Sequence, residues 1–105
     1  MNPLLVMTNV PDNAMAERIA SALIEARAAA CVNILAPCES VYRWQGIVET
    51  AAEIPLLIKT SDATYPRVEQ ILRECHPYAV PEIIAVPITY GLPAYLAWVA
   101  TETEP

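Results

Sequence analysis

The chain has 105 residues, 55% of them hydrophobic, and a net charge of −6. That length suits one domain spanning residues 1–105 with a modest core, and that hydrophobicity excludes a disordered tail. The six basic residues are scattered, so no patch exists to displace counterions from a phosphate backbone, and nucleic acid is excluded as a partner.

Met1-Asn2-Pro3 carries no positive charge ahead of the apolar Leu4-Leu5-Val6-Met7, a pattern wrong for a secretion leader. Leu4 to Val10, closed by Pro11, reads as a buried first strand. Asp12 or Asn13 then caps a helix in which Met15, Ile19, Ala22, Leu23, Ala26 and Ala30 recur at spacings of three and four. A second strand begins near Cys31, bends at Pro37 and continues to Trp44. Gln45-Gly46 is the only short glycine-containing break before a third strand, Ile47 to Thr60. In that strand Ala51-Ala52-Glu53 is a weak spot, and Pro55, which has no N–H, demands a break or an edge position. The two strands read as one long β-hairpin with Gly46 in the turn.

Ser61 or Asp62 caps the second helix, with Pro66 in its first turn. Val68, Ile71, Leu72 and Cys75 form its apolar stripe, and Pro77 ends it. A fourth strand covers Glu82 to Ile88. Gly91 and Pro93 break it ahead of a short last helix marked by Leu92, Tyr95, Leu96 and Val99, with Trp98 near the same face. The order βαββαβ plus a C-terminal helix is the ferredoxin-like α+β arrangement, an antiparallel sheet with two helices on one face. No apolar run approaches the roughly 18 residues of a membrane span, and no basic amphipathic helix marks a membrane surface. Three cysteines, Cys31, Cys38 and Cys75, with no C-x-x-C, read as reduced thiols. A cytoplasmic protein with no membrane partner is expected.

A compact domain of this length is about 35 Å across. A strand running from Ala30 to Trp44, at about 3.3 Å per residue, spans nearly 50 Å. Unless Pro37 and Pro55 cut the strands into short pieces, part of the hairpin projects and exposes Tyr42 and Trp44 on an unpaired edge. A homo-oligomer held by edge pairing of the hairpin is the expected remedy.

Five motifs, in this order and spacing, resemble the CutA family of divalent-cation tolerance proteins. They are Ala29-Ala30-Cys31-Val32-Asn33-Ile34, Ser40-Val41-Tyr42-Arg43-Trp44-Gln45-Gly46, Leu57-Ile58-Lys59-Thr60, His76-Pro77-Tyr78-Ala79-Val80-Pro81-Glu82 and Tyr95-Leu96-Ala97-Trp98. The resemblance runs from about Leu5 to Glu102. It implies a ferredoxin-like domain in a stable homotrimer whose long strands pair across subunits, similar to PII-type signalling proteins. It also implies a link to tolerance of divalent metals, copper especially.

The family's copper site is associated with a cysteine late in the first strand and two histidines just before the Pro-Tyr. Matched by motif, these positions fall on Thr8, Cys75 and His76. Cys75 and His76 are therefore the metal candidates, for labile copper or another divalent cation, with no tightly bound cofactor expected. Against them, neighbouring helical residues point about 100° apart, Cys75 falls on the apolar stripe, and His76 suits a helix C-terminal cap. A second candidate is a small-molecule or anion pocket at a subunit interface, built from Trp44, Lys59, Tyr78 and Glu82 beside His76 and Pro77. The competing reading makes Trp44, Lys59 and Tyr78 interface packing and Glu82–Lys59 an ion pair. There is no P-loop, nucleophile elbow or G-x-G-x-x-G, so no catalytic residue is assigned and an enzyme is not expected. The leading expectation is a trimeric metal-binding or signalling module for divalent-cation tolerance. The alternatives are an interaction scaffold with an indirect metal phenotype and a PII-like small-molecule sensor; no further protein partner is specified.

Overall fold

The computed structural model of the protein describes residues 1–104. The first strand, β1 (Pro3–Val10), alternates as a half-buried strand should, with Val6, Thr8 and Val10 turned into the core. Pro11 stops it, and Asp12 caps helix α1 (Asn13–Glu25), its Oδ1 accepting from the Met15 amide at 2.8 Å. Ala16, Ile19 and Leu23 bury the inner stripe of α1. The helix stops short of the expected Ala30. Arg27 adopts a left-handed φ of 55°, and the amides of Ala28 and Ala29 turn back to the Leu23 carbonyl at 3.0 and 3.3 Å. Ala28 and Ala29 are still buried, but from a loop.

The expected second strand is two strands, β2 (Cys31–Ile34) and β3 (Cys38–Trp44), parted around Pro37. The expectation of a break or an edge at Pro55 is corrected: β4 (Ile47–Ser61) runs unbroken for 15 residues through Pro55, and Ala51-Ala52-Glu53 stays within it. The reason is the side on which the missing donor falls. The Pro55 carbonyl accepts from the Leu35 amide at 3.0 Å. In an extended strand the nitrogen of a residue points the same way as its carbonyl, so Pro55 turns its nitrogen toward the bend between β2 and β3, where the ladder is already interrupted. At the hairpin tip Trp44 pairs with Ile47 across a two-residue turn. Both Gln45 (φ 50°) and Gly46 (φ 81°) are left-handed, the geometry that matches the strands' twist.

Helix α2 (Tyr65–Cys75) is not capped by Ser61 or Asp62 as expected. Ser61 is the last residue of β4, and Thr64 holds the cap position with Pro66 just inside. The Thr64 hydroxyl donates instead to the Thr103 carbonyl at 2.8 Å, and Asp62 accepts from the amides of Asn2 and Ala63. These bonds tie both chain ends to the β4–α2 junction. The fourth strand is shorter than expected, β5 (Ile84–Pro87). Helix α3 (Pro93–Glu102) buries Val99, while Leu92, Tyr95 and Trp98 remain exposed. The Arg27 guanidinium donates to the carbonyls of Thr101 and Glu104, complementing the negative end of α3. Among the described residues no helix is long and apolar enough to cross a membrane.

The sheet is antiparallel in the order β2-β4-β1-β5, the ferredoxin-like α+β fold, with β3 pairing on β4 off that path. β1 covers β4 from Pro3↔Ser61 to Val10↔Ile54, and β3 takes over from Cys38↔Glu53 to Trp44↔Ile47. The hairpin therefore projects beyond the end of β1, and the molecule measures 44 × 26 × 23 Å. Even-numbered residues of β4 from Ile54 to Thr60 face the core, where Leu56 and Ile58 meet Leu23, Val68 and Leu72. Odd-numbered residues of β4 face the other way.

Candidate functional site

Alternation along the hairpin puts Ser40, Tyr42 and Trp44 of β3 on one face with Glu49 and Glu53 of β4; Tyr42 lies opposite Glu49 in the ladder. α2 is capped at its C-terminal end by His76, whose extended backbone (ψ 132°) sends the chain away from the helix axis. The following segment, Tyr78 to Glu82, comes over the same face. With Asn9 at the end of β1, these residues line a groove of about 670 Å³ at the root of the hairpin.

The groove is acidic and aromatic. Glu49, Glu53 and Glu82 lie among Tyr42, Trp44 and Tyr78, and among the described residues no lysine or arginine lines it. A neutral group stands beside each carboxylate. The Tyr42 phenol neighbours Glu49, the Tyr78 phenol neighbours Glu53, and Asn9 Nδ2 donates to Glu82 Oε1 at 3.4 Å. Burial, and after it the neighbouring Glu53, pushes the Tyr78 phenol up to about 12. Burial and Glu49 raise Tyr42 as well. Glu53 is buried, at 8% exposure.

His76 lies against Tyr78, with ring centroids 4.6 Å apart. Its Nε2 is 2.7 Å from the Asn9 carbonyl, and its Nδ1 accepts from the Tyr78 amide at 3.3 Å. A carbonyl can only accept and an amide can only donate, so the tautomer carries its proton on Nε2. Neither nitrogen has a lone pair left for a metal. Cys75 packs its side chain against the core cluster. Thr8, at the position matched to the strand cysteine, buries a hydroxyl with no hydrogen-bond partner. Among the described residues no three His, Cys, Asp or Glu side chains converge to hold a metal ion. The residues present do not fit the copper site that the resemblance implies.

Of the expected pocket residues, Trp44, Tyr78 and Glu82 share the groove. Lys59 does not. It pairs in register with Leu5 and Cys31, and its Nζ donates to Asn33 Oδ1 and lies 3.8 Å from Cys31 Sγ. The Tyr95 phenol of α3, raised by burial and then by Cys31, completes that separate cluster. Within one chain, then, Glu82 is held by Asn9 and Lys59 by Asn33, and the two do not pair with each other. Sequence reasoning missed Asn9, Tyr42, Glu49 and Glu53. For three of them a signal existed, since a two-residue turn at Gln45-Gly46 fixes Tyr42 opposite Glu49 and puts Glu53 on the same face.

The fold and the groove at the hairpin root define a ferredoxin-like α+β protein with an extended central hairpin. Residues 4–102 match the family model described as CutA1 divalent ion tolerance protein. The chain belongs to that family, as its motifs implied. It is 44% identical over 99 residues to the "Divalent-cation tolerance protein CutA" of Thermus thermophilus, covering 94% of this chain and 96% of that one. It is 40% identical over 101 residues to "Protein CutA 1, chloroplastic" of Oryza sativa subsp. japonica, covering 96% of this chain but 57% of that longer protein. The solved divalent cation tolerance protein (Cut A1) from Thermus thermophilus superposes with a TM-score of 0.95 at 43% identity, over 97% of this chain and 99% of that one.

Proposed function

We propose that the protein serves divalent-cation tolerance as a binding and signalling module, not an enzyme, that takes a small ligand in the hairpin groove and works as a homotrimer. The observation that carries this reading is the convergence of Trp44, Tyr78 and Glu82 with the buried Glu53 on one groove at the hairpin root. Concave sites of this size, aromatic with a few polar groups, are where proteins take small ligands. Assembly is supported by the projecting hairpin, whose Val41, Ile47 and Val48 stay exposed in the isolated chain, and the number three is what the family resemblance implies. Three free cysteines suit a reducing compartment, taken here as the cytoplasm.

The test is a thermal-shift panel of metabolites and divalent metal salts, run on wild type and on Trp44→Ala, with light scattering on both. A ligand that raises the melting temperature of wild type alone, with Trp44→Ala still assembled, supports the groove as the working site. Shifts that survive Trp44→Ala unchanged refute it. An interaction scaffold is the second reading, favoured by the same exposed apolar residues of the hairpin, and it is the one left if no ligand shifts either protein.

A further inference from the structure

We propose that the groove at the hairpin root binds a linear aliphatic polyamine, its ammonium groups on Glu49, Glu53 and Glu82 and its methylene chain along Tyr42, Trp44 and Tyr78. The proposal rests on the reading of this groove as the ligand site and names the class of ligand. Its starting point is an imbalance of charge. Three carboxylates line one groove, and no basic side chain among the described residues answers them there. Glu53 is more than nine-tenths buried, and its neighbour in the groove is the neutral Tyr78 phenol, not a basic group. A buried carboxylate without a cationic partner loses hydration that a phenol only partly restores, and a bound cation supplies the rest.

The spacing selects among cations. Glu49 and Glu53 are four residues apart on one face of β4, which places their backbones about 13 Å apart along an extended strand. Glu82 comes from the opposite wall, steadied by Asn9. A single small ion cannot touch carboxylates so arranged, and they form no three-donor metal cluster. A ligand with separated charges can meet them one by one. Between the charges the walls are aromatic, and ring faces favour both alkyl chains and ammonium groups. An anionic ligand finds no counter-charge from this chain in the groove, because Lys59 lies elsewhere. The volume of about 670 Å³ lies in the range of small-ligand sites.

The experiment is calorimetric titration of the full-length protein with spermidine at about 0.15 M salt, where long-range attraction to a net charge of −6 is screened. The variants are Glu53→Gln and Glu82→Gln, with Glu17→Gln on the exposed side of α1 as a charge control, and light scattering on each. Losing one charge-assisted hydrogen bond weakens binding about ten- to a hundred-fold. That loss in Glu53→Gln and Glu82→Gln, with Glu17→Gln at wild-type affinity and assembly unchanged, supports the proposal. Because Glu53 is buried, Glu82→Gln decides if Glu53→Gln folds poorly. An equal loss in all three variants means non-specific attraction and overturns it. Dissociation of the assembly by Glu82→Gln shows the groove to be filled by a second copy of the chain and also overturns it. If spermidine fails to bind while AMP or citrate gives a thermal shift that Trp44→Ala abolishes, the polyamine assignment falls and the groove reading stands. If none of these probes nor copper gives a Trp44-dependent shift, both fall.

Discussion

His76 donates from Nε2 to the Asn9 carbonyl at 2.7 Å, fastening the end of α2 to the end of β1. Its other nitrogen accepts from the Tyr78 amide, so one ring joins three parts of the chain beside the groove. The ring is 7% exposed, and removing it strands a carbonyl and an amide together. His76→Ala is expected to lower stability by about 1–3 kcal/mol, the cost of buried groups left unpaired; urea denaturation reads it. Because neither nitrogen is free, copper calorimetry of wild type and His76→Ala is expected to superimpose under conditions where both are folded. A copper signal lost only in the variant would show that the ring swings out to bind metal.

Thr8 makes the opposite case. Its hydroxyl is buried and has no partner. Thr8→Val keeps the branched shape and removes the stranded oxygen. The variant is expected to be more stable by about 1 kcal/mol, seen as a higher denaturation midpoint with an unchanged slope. A loss of stability would mean that the hydroxyl holds a buried water or another partner.

Tyr78 sets an alkaline limit. Its phenol titrates near 12 in the folded protein, against about 10 in an unfolded chain. Above pH 10 the unfolded state has given up that proton while the folded state keeps it, so stability falls as pH rises from 10 toward 12. Below pH 10 the contribution is fully present. Tyr42, Tyr65 and Tyr95 are raised too and add to the same slope. Ultraviolet titration should show Tyr78→Phe removing the most alkaline phenolate step. Glu53→Gln should move that step down only part of the way, since burial is the larger cause.

The fold was legible where one physical signal dominated. The stripe Val68, Leu72 and Cys75, the bend at Pro37 and the turn at Gln45-Gly46 each depend on local periodicity or local backbone chemistry. Pro55 misled because its missing donor matters only on the side it faces, which depends on where Leu35 lies. Ala28-Ala29-Ala30 misled because alanine favours a helix and equally suits a tight buried loop, and the left-handed Arg27 decided between them. In the groove, Trp44, Tyr78 and Glu82 emerged from motifs. Asn9 did not, because only the register of β1 on β4 and the His76 bond bring it beside the hairpin. Lys59 was placed with the groove residues because its family motif converges with theirs on an inter-subunit region; within one chain the ladder sets it beside Cys31.

Val48 tests the assembly. It is 58% exposed on the free part of the hairpin and lies opposite Arg43 in the β3–β4 ladder. Val41 and Ile47 are exposed on the same projecting ribbon. Burying such a side chain against another subunit is worth about 1.5–3 kcal/mol, repeated at each copy of a symmetric interface. In a hairpin seam, a charge at position 48 would be forced out of water three times over. Val48→Glu puts that charge opposite Arg43, so the hairpin itself gains a cross-strand pair and does not lose its fold. Wild type is expected to scatter light as three chains of 11.5 kDa, and Val48→Glu to dissociate at micromolar concentration with its circular dichroism preserved. If Val48→Glu instead assembles as tightly as wild type, the seam lies elsewhere, and the exposed apolar ribbon needs another partner.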